Sequence, residues 1–252
     1  MTHPHGDHIG GAKILIRPNK KELAEFPYLK NISVGAVYDN GVVYTSGVYR
    51  NYVKAVEDKG IPYQHLKSGN DLDFGGGVKF KVLFPTSEFV ATANSGQIDK
   101  EDRTYNLNNG SIVGKLTYKN FSMLFTGDCE KESEAAIVAN NGAADLKCDV
   151  LKAGHHGWAT SSTKNFLAAV NPSVVLISAG HKDKNNIGKG APHREVAENF
   201  LAQGVQAKNI YATRFNGIIT IISDGKNFTV QPETNLDWTN DWIAKKIQNQ
   251  QK

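Results

Sequence analysis

Thr2-His3-Pro4-His5-Gly6-Asp7-His8-Ile9-Gly10-Gly11 packs four potential metal ligands into six residues and ends them on paired glycines. In an extended segment His3 and His5, two positions apart, direct their imidazoles to the same side. Gly6 lets the chain turn, so Asp7 and His8 leave on a different heading and can serve a second metal nearby. Imidazole with carboxylate suits zinc, and is workable for manganese or iron. Two such ions would hold a bridging water and lower its pKa, giving a nucleophile near neutral pH. A histidine-rich cloning leader is the bland alternative, but such leaders lack an interior aspartate and a Gly-Gly exit.

The rest of the composition is that of an ordinary globular chain. Its 252 residues, 40% hydrophobic and 21% charged, can bury a substantial core. A net charge of +4 suits a phosphate-bearing substrate without requiring one. No basic run resembles a nucleic-acid arm; Lys20-Lys21 and Lys245-Lys246 read as solvated surface. Cys129 and Cys148 supply neither a thiolate zinc site nor a disulfide framework, and both read as small buried residues beside strands. The longest apolar stretches, such as residues 173–179, are too short to cross a bilayer, and the polar opening is no signal peptide.

Along the chain, residues 10–26 fit either helix or strand, with Pro18 interrupting both. Residues 34–38 read as a strand closed by Asp39-Asn40-Gly41. Thr45 or Ser46 can cap a helix running to Lys59, with Tyr49, Tyr52, Val53 and Val56 on one face. Residues 74–84 give a glycine turn and an alternating strand, and the polar stretch 86–108 reads as a functional loop. Residues 111–118 and 121–125 form a hairpin over Lys119-Asn120. A helix over 130–139 built on Ala136 and Ile137, a strand at 149–153, a helix from Ser161 or Ser162 to Val170, and a strand at 174–178 follow. Pro192 sits in the first turn of a helix reaching Gln203, and strands at 210–212, 218–222 and 228–230 close the pattern. Strands alternating with helices argue an α/β sandwich. Residues 1–232 are expected to form one domain, and 233–252 a helical tail whose Trp238 and Trp242 pack back on the body.

Two further segments carry chemistry. Leu124-Phe125-Thr126-Gly127-Asp128 is an apolar strand ending in Gly-Asp, where a carboxylate could bridge two cations or simply cap a turn. Gly154-His155-His156-Gly157 follows a buried strand and sets adjacent histidines between glycines.

Taken in order, His3-x-His5-x-Asp7-His8, Asn108-Asn109-Gly110-Ser111, Phe125-Thr126-Gly127-Asp128 and residues 149–157 resemble the metallo-β-lactamase superfamily. More narrowly they resemble its ComEC-like branch, the hydrolase domain of DNA-uptake competence proteins. Val37-Tyr38-Asp39, Tyr49-Arg50, Gly60-Ile61-Pro62-Tyr63, Ile177-Ser178-Ala179-Gly180 and residues 213–225 extend the resemblance over nearly the whole chain. It implies an αββα sandwich with a metal cluster at one edge of the sheets. His3 and His5 would hold one metal, Asp7 and His8 the other, and Asp128 would bridge. His156 or His155 would complete the second site, and the remaining one would face substrate as electrophile or proton donor. Asn109 and Ser111 stand where more distant members carry a histidine ligand, which weakens the first site or favours manganese over zinc.

Two departures stand out. Relatives usually show Gly-His-Pro before the late helix; this chain has Gly190-Ala191-Pro192-His193, with His193 either compensating or merely starting the helix. Relatives also carry a strand-rich segment before the first motif. The first sheet is therefore expected to be short of strands, as in a chain truncated at its N-terminus, and localisation is left open.

The expected function is metal-dependent hydrolysis of a phosphodiester, nuclease-like, by a metal-bridged hydroxide and two divalent ions, with DNA or a small ester such as a choline-phosphate ester as substrate. The alternatives are hydrolysis of a carbon-centred bond, as in β-lactamases or thioesterases, and a non-catalytic remnant of the fold. The first of these is disfavoured because His65 is the only histidine between His8 and Asp128.

Overall fold

A computed structural model describes residues 1–96, 103–180 and 190–239. The ambiguous opening is helical: α1 (Gly6–Ile9), α2 (Ala12–Ile16) and α3 (Lys20–Glu25) follow one another, the last nucleated by a reciprocal Asn19–Glu22 capping box just after Pro18. β1 (Val37–Asp39) begins three residues later than the apolar run suggests. Ser46 caps α4 (Gly47–Lys59) by accepting from the Tyr49 N–H, and Gly60, at φ +60°, ends it. β2 (Tyr63–His65) returns parallel to β1. β3 (Asp71–Asp73) and β4 (Val78–Phe84) follow.

The stretch expected to be loop opens instead with a helix, α5 (Ser87–Ala93), capped by Thr86. Only Phe89 of this helix is buried, which is why no apolar period announces it. β5 (Val113–Tyr118) and β6 (Phe121–Phe125) make the expected hairpin. α6 (Lys131–Asn140) buries Ser133, Glu134 and Ile137 rather than a face centred on Ala136. After α7 (Ala143–Leu146) come β7 (Val150–Lys152), α8 (Lys164–Val170), β8 (Val174–Ile177) and α9 (Arg194–Ala202). The cap of α8 is Thr163, one or two residues beyond the serines expected. Pro192 lies outside α9, ahead of His193 at the N-cap, so it ends the preceding loop rather than opening the helix. β9 (Ile210–Ala212), α10 (Thr213–Asn216), β10 (Ile219–Ser223) and β11 (Phe228–Pro232) complete the described elements.

Seven strands form the main sheet in the order β3-β4-β5-β6-β7-β8-β9, antiparallel as far as β6 and parallel beyond it. Alternation along each strand sorts the core into layers. Leu124, Leu151, Val175 and Ile177 face Ile137 of α6, Phe166 and Leu167 of α8, and Val196 and Phe200 of α9. The opposite face carries Phe80, Leu116, Met123, Val150 and Val174. It is covered by the β1–β2 pair, through Tyr38 and Leu66, and by the β10–β11 hairpin, through Ile221, Phe228 and Val230. Ile9, Ala12 and Ile16 pack with Tyr52, Ala55 and Val56 of α4 over β1 as the outermost layer. The layers therefore run helix, sheet, sheet, helix, as the resemblance implies. Among the described residues, the second sheet layer consists of two separate strand pairs with no ladder between them.

Both cysteines are buried and unpaired. Trp238 packs back on the body: its ring stacks on Phe215 and its Nε1 donates to the Ile210 carbonyl at 2.9 Å. Of the tail expected to be helical, residues 233–237 are irregular, and Trp242 with the rest of residues 240–252 lies outside the described residues. Among those described, no helix is long and apolar enough to cross a membrane.

Candidate metal centre

The N-terminal motif is held beside the sheet edge by backbone bonds. The Met1 amino group donates to the Tyr38 carbonyl at 2.7 Å, and Ile112 N–H donates to the Thr2 carbonyl at 2.9 Å. His5 is the extended N-cap of α1, so Asp7 and His8 ride on the first helical turn while His3 stays on the extended approach. This is the division that the turn at Gly6 predicts.

Asp128 reaches the same place from the end of β6. Gly127 adopts φ +53°, and a Cβ there would fall 2.7 Å from the Ser111 Cβ and 3.0 Å from the Thr2 Cβ. Only glycine permits that approach without displacing both neighbours. The Asp128 N–H then donates to Ser111 Oγ at 2.9 Å, and Ser111 Oγ also lies 3.2 Å from His3 Nδ1. Lys152, on the last position of β7, points inward: its Nζ donates to the Gly127 carbonyl at 2.7 Å and stands 3.8 Å from Asp128 Oδ1.

The third contribution comes from the turn after β7. His155 and His156 both occupy the left-handed region, φ +46° and +55°, a conformation costing non-glycine residues about 1 kcal/mol or more each. The strain separates their side chains. His156 Nδ1 lies 2.7 Å from the Ser178 carbonyl, and its Nε2 stands 3.1 Å from Asp7 Oδ2, 3.3 Å from Asp128 Oδ2 and 3.3 Å from His8 Nε2. His155 turns the other way, to Thr160 Oγ1 at 2.8 Å, Glu130 Oε1 at 3.2 Å and Asn108 Nδ2 at 3.3 Å.

Two convergences result. One ligand atom each from Asp7, His8, Asp128 and His156 lies within 4.8 Å of the others. Beside it, His3 Nε2 lies 3.0 Å from His5 Nδ1 and 4.0 Å from the same Asp128 oxygen. A carbonyl only accepts, so His156 Nδ1 carries its proton toward Ser178, and the neutral ring turns the Nε2 lone pair on two carboxylates and a second imidazole. Acceptors facing acceptors call for a cation between them. Asp128 Oδ1 is buried without a hydrogen-bond partner. The residues thus fit a divalent ion of the zinc or manganese kind.

The electrostatics agree with this donor set. Burial, reinforced by the neighbouring His8, pushes His3 down to about 3, which keeps its imidazole neutral and able to ligate. Burial works against the charged form of Asp128, but hydrogen bonds with His156 and His8 and the charge of Lys152 outweigh it, holding the carboxyl far below its usual range. Asp128 in turn raises His156 above its ordinary value, so a proton and a cation compete for its Nε2.

The remaining candidates surround this centre. Asn109 is buried behind it; its Oδ1 accepts from the Glu130 and Ser133 N–H groups and from Ser133 Oγ, which pins the turn between β6 and α6. His193 lies outside both convergences, its ring centroid 4.3 Å from that of Trp158. Ala191 lines a cavity of about 310 Å³ together with Asp7, His156, Trp158 and Arg214. Glu130 escaped sequence reasoning. Buried and hydrogen-bonded by His155, Asn106 and Asn108, it is held at about 2 although burial alone would raise it. Its only local signal is an acid two residues after Gly-Asp.

Candidate metal ligands on an N-terminal helix turn, after β6 and after β7, on an αββα sandwich, form a metallo-hydrolase type of site. The sequence matches the Metallo-beta-lactamase superfamily over residues 1–181, and the chain belongs to that superfamily. It is 28% identical over 219 residues to ComE operon protein 3 of Bacillus subtilis, covering 87% of this chain and 24% of that protein. It is 42% identical over 182 residues to Recombination protein 2 of Haemophilus influenzae, covering 71% and 17% respectively. Competence protein ComA of Neisseria gonorrhoeae matches at 36% over 74 residues, 29% of this chain and 11% of that protein. These relatives bear out the ComEC-like branch implied by the motifs. The chain spans about a quarter or less of the length of these curated relatives.

Proposed function

We propose that this chain is a metal-dependent hydrolase acting on phosphodiester bonds, nuclease-like, in which Asp128 and the histidines and aspartate around it would hold two divalent ions. The observation that carries the reading is the convergence of Asp7, His8, Asp128 and His156 from three separated segments, beside the His3–His5 pair. Divalent ions, when bound, supply positive charge against a phosphodiester's developing charge and acidify water.

In this reading the protein's own groups do the positioning. The Ser178 carbonyl sets the tautomer of His156, and Ser111 orients both His3 and the Asp128 backbone. Asn109 fixes the turn that carries Asp128 and Glu130. His155, expected to face substrate, has both ring nitrogens taken up by Thr160, Glu130 and Asn108, and braces the turn that follows Asp128. The names of the relatives, competence and recombination, favour nucleic acid as the polymer, as does the mild positive charge of the chain.

The test is metal analysis with parallel assays on bis(p-nitrophenyl) phosphate, single-stranded DNA and a chromogenic cephalosporin. We expect close to two ions per chain, turnover of the phosphodiesters and none of the cephalosporin. Asp128→Asn should lower both metal retention and turnover by at least about a hundredfold. A metal-loaded protein inert toward every phosphodiester would overturn the reading.

A further inference from the structure

Arg214 is the unexplained cation next to the metal centre. It sits in α10, directly after β9, and its position is fixed by Thr213, whose Oγ1 donates to the Ala179 carbonyl and accepts from the Ala179 N–H, both at 2.9 Å. Only 9% of Arg214 is exposed. Among the described residues its guanidinium donates once, to the Ala191 carbonyl at 3.1 Å, and it lies over the Phe215 ring at 5.6 Å. No carboxylate pairs with it among the described residues. Among the described residues most of its five donors have no protein partner, and they are available to an anion that enters beside them.

The surroundings leave room for such a group. Arg214 lines the same cavity of about 310 Å³ as Asp7 and His156, so guanidinium and metal ligands open onto one space. The lining beside Arg214 is small: Ala179, Gly180, Gly190 and Ala191. At Gly190 a Cβ would already come within 3.4 Å of Arg214 Nη1. Ala191 stands where relatives were expected to carry histidine, so a methyl group lines this cavity in place of a ring.

Building on the phosphodiesterase reading, we propose that Arg214 is an anion anchor that binds a second phosphate of the substrate while the scissile one lies at the Asp7–Asp128 group. The site then selects substrates carrying a charged group beside the cleaved bond, as a nucleic-acid strand or nucleoside bisphosphate does, over isolated diesters such as a choline-phosphate ester. A guanidinium offers a phosphate two parallel charge-assisted hydrogen bonds, which an ammonium cannot reproduce.

The experiment measures equilibrium binding of thymidine 3′,5′-bisphosphate and thymidine 5′-monophosphate to zinc-loaded protein by calorimetry, so it does not depend on turnover. The bisphosphate is expected to bind about ten- to a hundredfold more tightly than the monophosphate. That ratio should collapse toward one in Arg214→Gln and be only partly kept in Arg214→Lys. Wild-type protein supplies a check free of folding effects: modification of Arg214 by phenylglyoxal, read by mass spectrometry, should be suppressed by the bisphosphate and much less by the monophosphate. A wild-type ratio near one, a ratio unchanged in Arg214→Gln, or modification indifferent to both ligands would overturn the proposal. Failure of the phosphodiesterase reading shows separately, as absence of hydrolysis by protein whose binding ratio is intact.

Discussion

Adding one methyl group at Gly127 tests how the sheet edge builds the metal centre. The φ of +53° costs an alanine about 1 kcal/mol, and its Cβ would overlap Ser111 at 2.7 Å and Thr2 at 3.0 Å. Those neighbours cannot retreat freely: Ser111 is buried against His3 and the Asp128 N–H, and Thr2 is tied by its carbonyl to Ile112. Overpacking of this kind adds about 1–3 kcal/mol, so Gly127→Ala should destabilise by roughly 2–4 kcal/mol. In a domain of this size that lowers Tm by roughly 4–16 °C. Because the displaced groups orient His3 and Asp128, zinc content at a temperature where the variant is folded should fall with it. Thermal unfolding and metal analysis of Gly127→Ala, Ser111→Gly and the double variant read both effects. Ser111→Gly removes the atoms being struck, so the double variant should be less impaired than the two single losses summed. Strict additivity, or a Gly127→Ala protein with wild-type Tm and zinc content, would refute the reasoning.

In chelator, His3 should impose acid sensitivity. Its folded value of about 3 lies below its unfolded value, so its neutral, buried form stabilises above pH 6.5, and that stability is lost as pH falls toward 3. Urea unfolding of wild type and His3→Gln between pH 7.5 and 4.5 isolates the effect: the variant should have the shallower acid loss, and parallel curves would exclude it. At the far side of the sheet, Trp238→Phe keeps the stack on Phe215 but loses the bond to the Ile210 carbonyl; a loss of about 1–3 kcal/mol in unfolding free energy is expected, and an unchanged value would show that water replaces the donor.

The parts of this protein that could be read in advance are those whose physics is local. His3, His5, Asp7 and His8 are neighbours in sequence, and their convergence needs only an extended residue followed by a helical turn. The β5–β6 hairpin and α4 declare themselves through a turn pair and a serine cap. β2 and β3, three residues each, are too short to show alternation. The choice between His155 and His156 rested on a left-handed turn and on a carbonyl 22 positions away, neither of which the Gly-His-His-Gly string encodes. Arg214 was invisible for the same reason: its environment is made by Ala179, Gly180, Gly190 and Ala191, more than 20 positions away, and an isolated arginine in a short helix carries no pattern.

His8 and Asp128 meet although 120 positions separate them, and His156 joins from the end of another strand. An ion gripped there would act as a clasp, closing long loops whose ends otherwise meet only through non-covalent packing. Removing it should loosen the first helices before the parallel strands, so a protease added to chelated protein would cut first among residues ahead of β1.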